Sequence, residues 1–132
     1  MSSDTSPIIL AFSGGLDTSF CVPWLKEFHG RDVITATADT GGTDAGTARS
    51  LERKSRALDT IEHVLLDCKE EFFATVIRYL IAGNIRRGYL YPLCVGAERG
   101  LQAAALARLA LDRGAFRRRT RLYRRRQRPG SF

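Results

Sequence analysis

Three hydroxyl side chains, two glycines and one carboxylate crowd into residues 13–19, S-G-G-L-D-T-S. Gly14 and Gly15 carry no Cβ, so they reach positive φ and let a phosphate come close to the backbone N–H groups. Ser13, Thr18 and Ser19 add hydroxyl donors around the same point. Asp17 is a misfit in a bare anion site, and its carboxylate makes sense where a Mg²⁺ ion accompanies the phosphates. The spacing is neither G-x-x-x-x-G-K-[ST] nor G-x-G-x-x-G, which excludes the Walker and dinucleotide fingerprints.

The elements on either side must aim this loop. Residues 8–12, I-I-L-A-F, are β-rich without alternation and read as a strand buried on both faces. Phe20, Trp24, Leu25 and Phe28 recur at helical spacing, so the loop opens a helix whose free N–H groups and positive dipole end face a bound anion. The glycines alone leave a plain strand-to-helix connection open.

A second β-rich run at 32–37 leads into A-D-T-G-G, residues 45–58 form a helix, and 61–66 form a third strand ending at Asp67. In a parallel sheet the crevice lies beyond the strands' carboxyl ends, so Ala38 and Asp39 belong beside the first loop. Small Ala38 leaves room for a flat base or ribose; a polar turn with a helix cap is the plainer reading. Arg49, Glu52, Arg53 and Lys54 form a solvated helix face. Residues 69–83 are helical, with Phe72, Val76, Leu80 and Phe73, Ile77, Ile81 as two core rows. Pro92 opens a further helix with Tyr91 held extended, and Glu98 with Arg99 reads most simply as a surface ion pair. The alanine-rich stretch 101–111 is helical, and Gly114 stops it. This order implies right-handed crossovers and an α/β fold, a doubly wound parallel sheet. His29 and His63 take no role.

The chain has 132 residues and a formal charge of +7. Residues 1–112 hold 12 Lys+Arg against 14 Asp+Glu, whereas 113–132 hold nine Arg and no acid, so the basicity belongs to the tail. Cys21, Cys68 and Cys94 form no CxxC pair, and no apolar run approaches the length of a membrane span. A reduced, cytoplasmic protein with no membrane partner is expected.

The loop S-G-G-L-D-T-S resembles the PP-loop of ATP pyrophosphatases, and with A-F before it and Thr18 after Asp17 it is most similar to argininosuccinate synthase. T-A-D at 37–39 and Y-P-L-C-V-G-A-E-R followed by Q-A at 91–103 resemble further segments of that family. The resemblance implies an incomplete PP-loop domain over 1–114. Its ATP would be held by Ala11, Phe12, Ser13, Gly14, Gly15, Leu16, Asp17, Thr18, Ser19 and Ala38. Citrulline would be met by Tyr91 and Gly96, and Mg²⁺ by Asp17. Members join citrulline and aspartate with ATP, giving argininosuccinate, AMP and pyrophosphate, in arginine biosynthesis and the urea cycle. They assemble as homotetramers, which is not expected of this stretch alone. No general base is assigned.

Beyond residue 114 the likeness ends, and 115–132 reads as an unstructured Arg-rich tail able to bind nucleic acid only non-specifically. The rival from another class is a tRNA-modifying PP-loop enzyme with a basic arm. The family continues with a motif of the type A-H-G-x-T-G-x-G-N-D-Q-V-R-F, which binds aspartate and is not spelled in this chain. GC-rich codons can be chosen for the 16 residues from Arg117 onward that, read from the second base, spell V-A-A-H-G-C-T-G-A-G-N-D-Q-V-R. The tail is therefore expected to be the out-of-frame image of that motif, the chain to be a fragment, and argininosuccinate not to be formed by it alone.

Overall fold

The computed structural model describes residues 5–83, 86–87, 91–92 and 94–115. Its centre is a three-stranded parallel sheet of β1 (Ile8–Ala11), β2 (Val33–Asp39) and β3 (Glu62–Asp67), in the order β1-β2-β3. Ile8 pairs with Val33 and Ala11 with Ala36, while Ile34 pairs with Glu62 and Asp39 with Asp67. The loop after β1 and the turn after β2 therefore open at the same edge of the sheet.

Two helices follow the first two strands, α1 (Leu16–His29) and α2 (Ala45–Ala57). They share one face, because Phe12, Val22, Val33 and Leu51 form a single buried cluster with Leu10, Leu25 and Leu58 against it. Each such side chain taken from water stabilises the fold by about 1.5–3 kcal/mol. Asp44 caps α2 by accepting the Thr47 N–H at 2.6 Å, and Gly30 ends α1 at φ +60°, where a side chain would be strained.

After β3 the chain coils through α3 (Lys69–Phe72), a π-helical turn (Phe73–Ile77) and α4 (Arg78–Gly83). A two-stranded antiparallel ribbon, β4 (Arg86–Arg87) with β5 (Tyr91–Pro92), precedes the long α5 (Cys94–Asp112). Ion pairs from Arg108 to Glu71 (2.9 Å) and from Arg113 to Glu62 (2.7 Å) tether α5 to α3 and β3. Gly114 at φ +58° turns the chain, and Ala115 is buried beneath it.

Several expectations are corrected. β1 is half-buried rather than enclosed, because among the described residues it pairs only with β2. On α1, Phe20, Trp24 and Phe28 are exposed, and the helix packs through Val22 and half-buried Leu25. Of the two rows expected in the core at 69–83, Phe72 is buried and Val76, Ile77 and Leu80 are half-buried, but Phe73 and Ile81 are exposed. The π turn between them carries an extra residue per turn and rotates α4 out of register with α3. Pro92 lies in β5 opposite Arg86, and the helix begins only at Cys94.

Candidate functional site

The loop between β1 and α1 is shaped by what glycine permits. Gly14 sits at φ +70°, and a Cβ there would meet Leu51 Cδ2 at 2.7 Å, so both conformation and space exclude a side chain. Gly15 is extended at φ −79°, ψ 175° and precedes α1 as its N-cap, with no side-chain cap on the helix. The first-turn N–H groups are thus left for solvent or an anion, reinforced by the dipole of a 14-residue helix.

The hydroxyls gather around the same turn. Ser13 Oγ lies 3.2 Å from Thr18 Oγ1, Thr18 Oγ1 donates to the Gly15 carbonyl at 3.3 Å, and Gly15 N–H donates to Ser13 Oγ at 3.4 Å. All three contacts are long, so these groups hold one another weakly and can exchange partners with phosphate oxygens. Asp17 is exposed in the first turn of α1. One carboxylate beside phosphates suits Mg²⁺, which keeps most of its waters and takes few protein ligands. Among the described residues no group of three His, Cys, Asp or Glu side chains converges on a metal position.

From the loop a cleft of about 240 Å³ runs over the carboxyl end of β2 to α5. Ala11, Phe12, Ser13, Thr18 and Ala38 line it, so five of the expected ATP contacts come together. Phe12 contributes main chain, since its ring is 2 % exposed and stands edge-on to His63 in the core. Leu16 points outward, 86 % exposed, and can offer only its backbone. Gln102 and Leu106, from α5, were not expected in the lining; Gln102 lies in the Q-A pair, but nothing local in the sequence shows which way that helix faces.

The turn after β2 is built by Asp39, 3 % exposed. Burial alone would raise its carboxyl, yet N–H bonds from Gly41 (2.9 Å) and Thr43 (3.2 Å) and the Lys69 ammonium (3.3 Å) hold it below its ordinary value. Asp39 therefore shapes the rim. Next to it, Thr40 donates to Glu98, which also accepts from Gln102 at 3.2 Å. Glu98 ties α5 to the rim rather than pairing with Arg99, correcting the surface ion pair expected there. Lys54, read as part of a solvated face, instead donates to the Gly14 carbonyl at 3.2 Å. Tyr91 is extended in β5, but its ring lies outside the described residues, and Gly96 is exposed on α5. The Arg-rich tail also lies outside them.

A parallel sheet with a glycine loop opening an uncapped helix beside a nucleoside-sized cleft defines an α/β domain of the PP-loop, or HUP, kind. Comparison with known proteins agrees. The ammonia-dependent NAD synthetase of Campylobacter jejuni superposes with a TM-score of 0.61 at 13 % identity, over 86 % of this chain and 46 % of that one. The NAD⁺ synthetase of Burkholderia pseudomallei does so at 0.51 and 18 %, over 84 % and 51 %. Residues 7–117 match the family described as "Arginosuccinate synthase N-terminal HUP domain". The argininosuccinate synthases of Xanthomonas axonopodis pv. citri and Sulfurisphaera tokodaii are 41 % and 37 % identical over 107 and 103 residues. These alignments take in 80 % and 78 % of this chain and 26 % of each relative, so the chain spans about a quarter of their length. The chain belongs to the argininosuccinate synthase family.

Proposed function

We propose that this chain forms the ATP-binding part of a ligase that joins citrulline to aspartate with cleavage of ATP to AMP and pyrophosphate. The observation that carries the reading is the uncapped start of α1, fronted by a glycine whose positive φ and close contact with Leu51 disfavour any side chain, and continuous with the cleft to Ala38. Ser13, Gly14, Gly15, Thr18 and Ser19 hold the pyrophosphate end, Ala38 lies under the nucleoside, and Asp17 favours Mg²⁺. In the reaction the ureido oxygen of citrulline attacks the α-phosphate with loss of pyrophosphate, and the aspartate amine then displaces AMP. The protein's share is positioning and neutralising charge rather than covalent chemistry. Tyr91 and Gly96 meet citrulline.

The motif expected to bind aspartate is not spelled in these residues. The chain is accordingly expected to bind ATP without making argininosuccinate. The synthase reading is favoured over the tRNA-modifying one because the family match reaches to residue 117, past every element described. Titration calorimetry with ATP, Mg²⁺ and the 132-residue chain tests it, alongside Ser13→Ala and Asp17→Ala. Loss of the Ser13 hydroxyl should weaken ATP by about 3–10-fold, the worth of one hydrogen bond. Equal ATP binding by wild type and both variants would reject the loop as the site, and argininosuccinate formed above the variants' background would reject the expected inactivity.

A further inference from the structure

Lys54 reaches the loop from α2, forty residues further along the chain, and its Nζ donates to the Gly14 carbonyl at 3.2 Å. Its stem runs beside the same glycine, with Cδ 3.5 Å from where a Cβ would stand, next to buried Leu51. Among the described residues no carboxylate pairs with Lys54, so the carbonyl is its partner.

A trans peptide is planar, so the Gly14 C=O and the Gly15 N–H point in opposite directions. Fixing the carbonyl toward Lys54 aims the amide the other way, where it donates to Ser13 Oγ inside the loop. The two flanking residues are both glycines, which tolerate a wide range of backbone torsions, so the peptide's direction rests on the Lys54 bond and the longer contact from Gly15 N–H to Ser13 Oγ. With the carbonyl turned inward, its oxygen would face phosphate oxygens and repel them.

We infer that Lys54 is a positioning residue for the phosphate loop, locking the Gly14–Gly15 peptide with its N–H toward the pyrophosphate end of ATP. The inference rests on residues 13–19 being a phosphate cradle. It assigns Lys54 a role at the phosphates and none at the nucleoside, which the Ala38 end of the cleft receives.

The test uses the full chain with Lys54→Met, which keeps the stem and removes the donor, and Lys54→Arg, which keeps a donor. Inorganic pyrophosphate and AMP are titrated separately with Mg²⁺, and the Gly15 amide is followed by ¹⁵N NMR without ligand. Lys54→Met should bind pyrophosphate about tenfold more weakly, as for a lost charge-assisted hydrogen bond. It should leave AMP within twofold and shift the Gly15 resonance, and Lys54→Arg should restore most of the pyrophosphate affinity. If wild type binds pyrophosphate and Lys54→Met binds it equally, the Lys54 role is overturned and the cradle stands. Equal weakening of AMP and pyrophosphate would mark a general structural effect and also overturn it. If wild type binds no pyrophosphate, the cradle itself is wrong and the inference falls with it.

Discussion

Replacing Gly14 by alanine asks two separable questions of the loop. The first is conformational: at φ +70° an L-residue costs roughly 1–2 kcal/mol more than glycine. The second is steric: the new methyl would lie 2.7 Å from Leu51 Cδ2. Leu51 is 6 % exposed and boxed in by Phe12, Val22 and Val33, so it cannot swing into solvent to make room. Overpacking of this kind costs about 1–3 kcal/mol. Gly14→Ala should therefore destabilise the chain by about 2–5 kcal/mol, a large share of the stability of a small domain. Urea unfolding followed by the fluorescence of Trp24, the only tryptophan, reads this as a midpoint about 1–3 M lower. Leu51→Ala alone should cost about 2–5 kcal/mol through its cavity. Combined with Gly14→Ala it removes the overlap, so the double variant should lose about 1–3 kcal/mol less than the two singles added together. Gly15→Ala is the control, since φ is −79° and the nearest atom, Ser13 Oγ, is 3.5 Å away. It should cost under about 1 kcal/mol. Equal losses at the two glycines, or strict additivity of Gly14→Ala and Leu51→Ala, would refute the contact between α2 and the loop.

Asp39→Asn should cost about 1–3 kcal/mol at pH 7, because an amide cannot replace a carboxylate that accepts from Gly41, Thr43 and Lys69 together. Since the folded carboxyl lies below its ordinary value, its contribution is complete above about pH 3.9 and lost as pH falls through the folded value. Wild-type and Asp39→Asn unfolding midpoints should converge in acid, and parallel curves down to pH 2 would contradict this. His63 behaves in the opposite sense to a salt-bridged histidine: its Nε2 is buried without a partner, and burial, only partly offset by Glu52, pushes its pKa down. Its neutral form is the folded one, so stability is full above about pH 6.5 and declines as pH falls from there toward the folded value. His63→Gln keeps a group able to bond Thr35, and should flatten that part of the stability profile; an unchanged slope between pH 7 and 5 would exclude His63 as its source.

The loop and the elements around it were legible because the information is local. Glycines at 14 and 15, hydroxyls at 13, 18 and 19, and an apolar strand before them encode strand, turn and helix within a dozen residues. The parallel order of the sheet follows from alternating strand and helix runs. What stayed hidden is what periodicity does not carry. A helical apolar row at Phe20, Trp24 and Phe28 is visible in the sequence, but periodicity does not show that the described fold leaves it exposed. The π turn at Phe73–Ile77 has no composition signature, and Phe73 and Ile81, in one row by helical spacing, both lie at the surface. Lys54 sits in a charged helix face like its neighbours Arg53 and Glu52, and only the fold shows which of them touches the loop.

The same contrast explains how the site is assembled. α2 supports the β1–α1 loop through Leu51 and Lys54, whereas α5 closes the Ala38 end of the cleft, held to the rim by Glu98 between Thr40 and Gln102. Thr40 is positioned in turn by the Asp39 turn, which Lys69 anchors to the start of α3. The two ends of the cleft thus depend on different long-range contacts. Damage at Asp39 should reach the Ala38 end of the cleft first and leave the Gly14 peptide in place, while damage at Leu51 or Lys54 should do the reverse. A cleft so divided explains why one short motif marks the loop end, while the residues shaping the other end are scattered from 36 to 106 and come together only when the sheet assembles them.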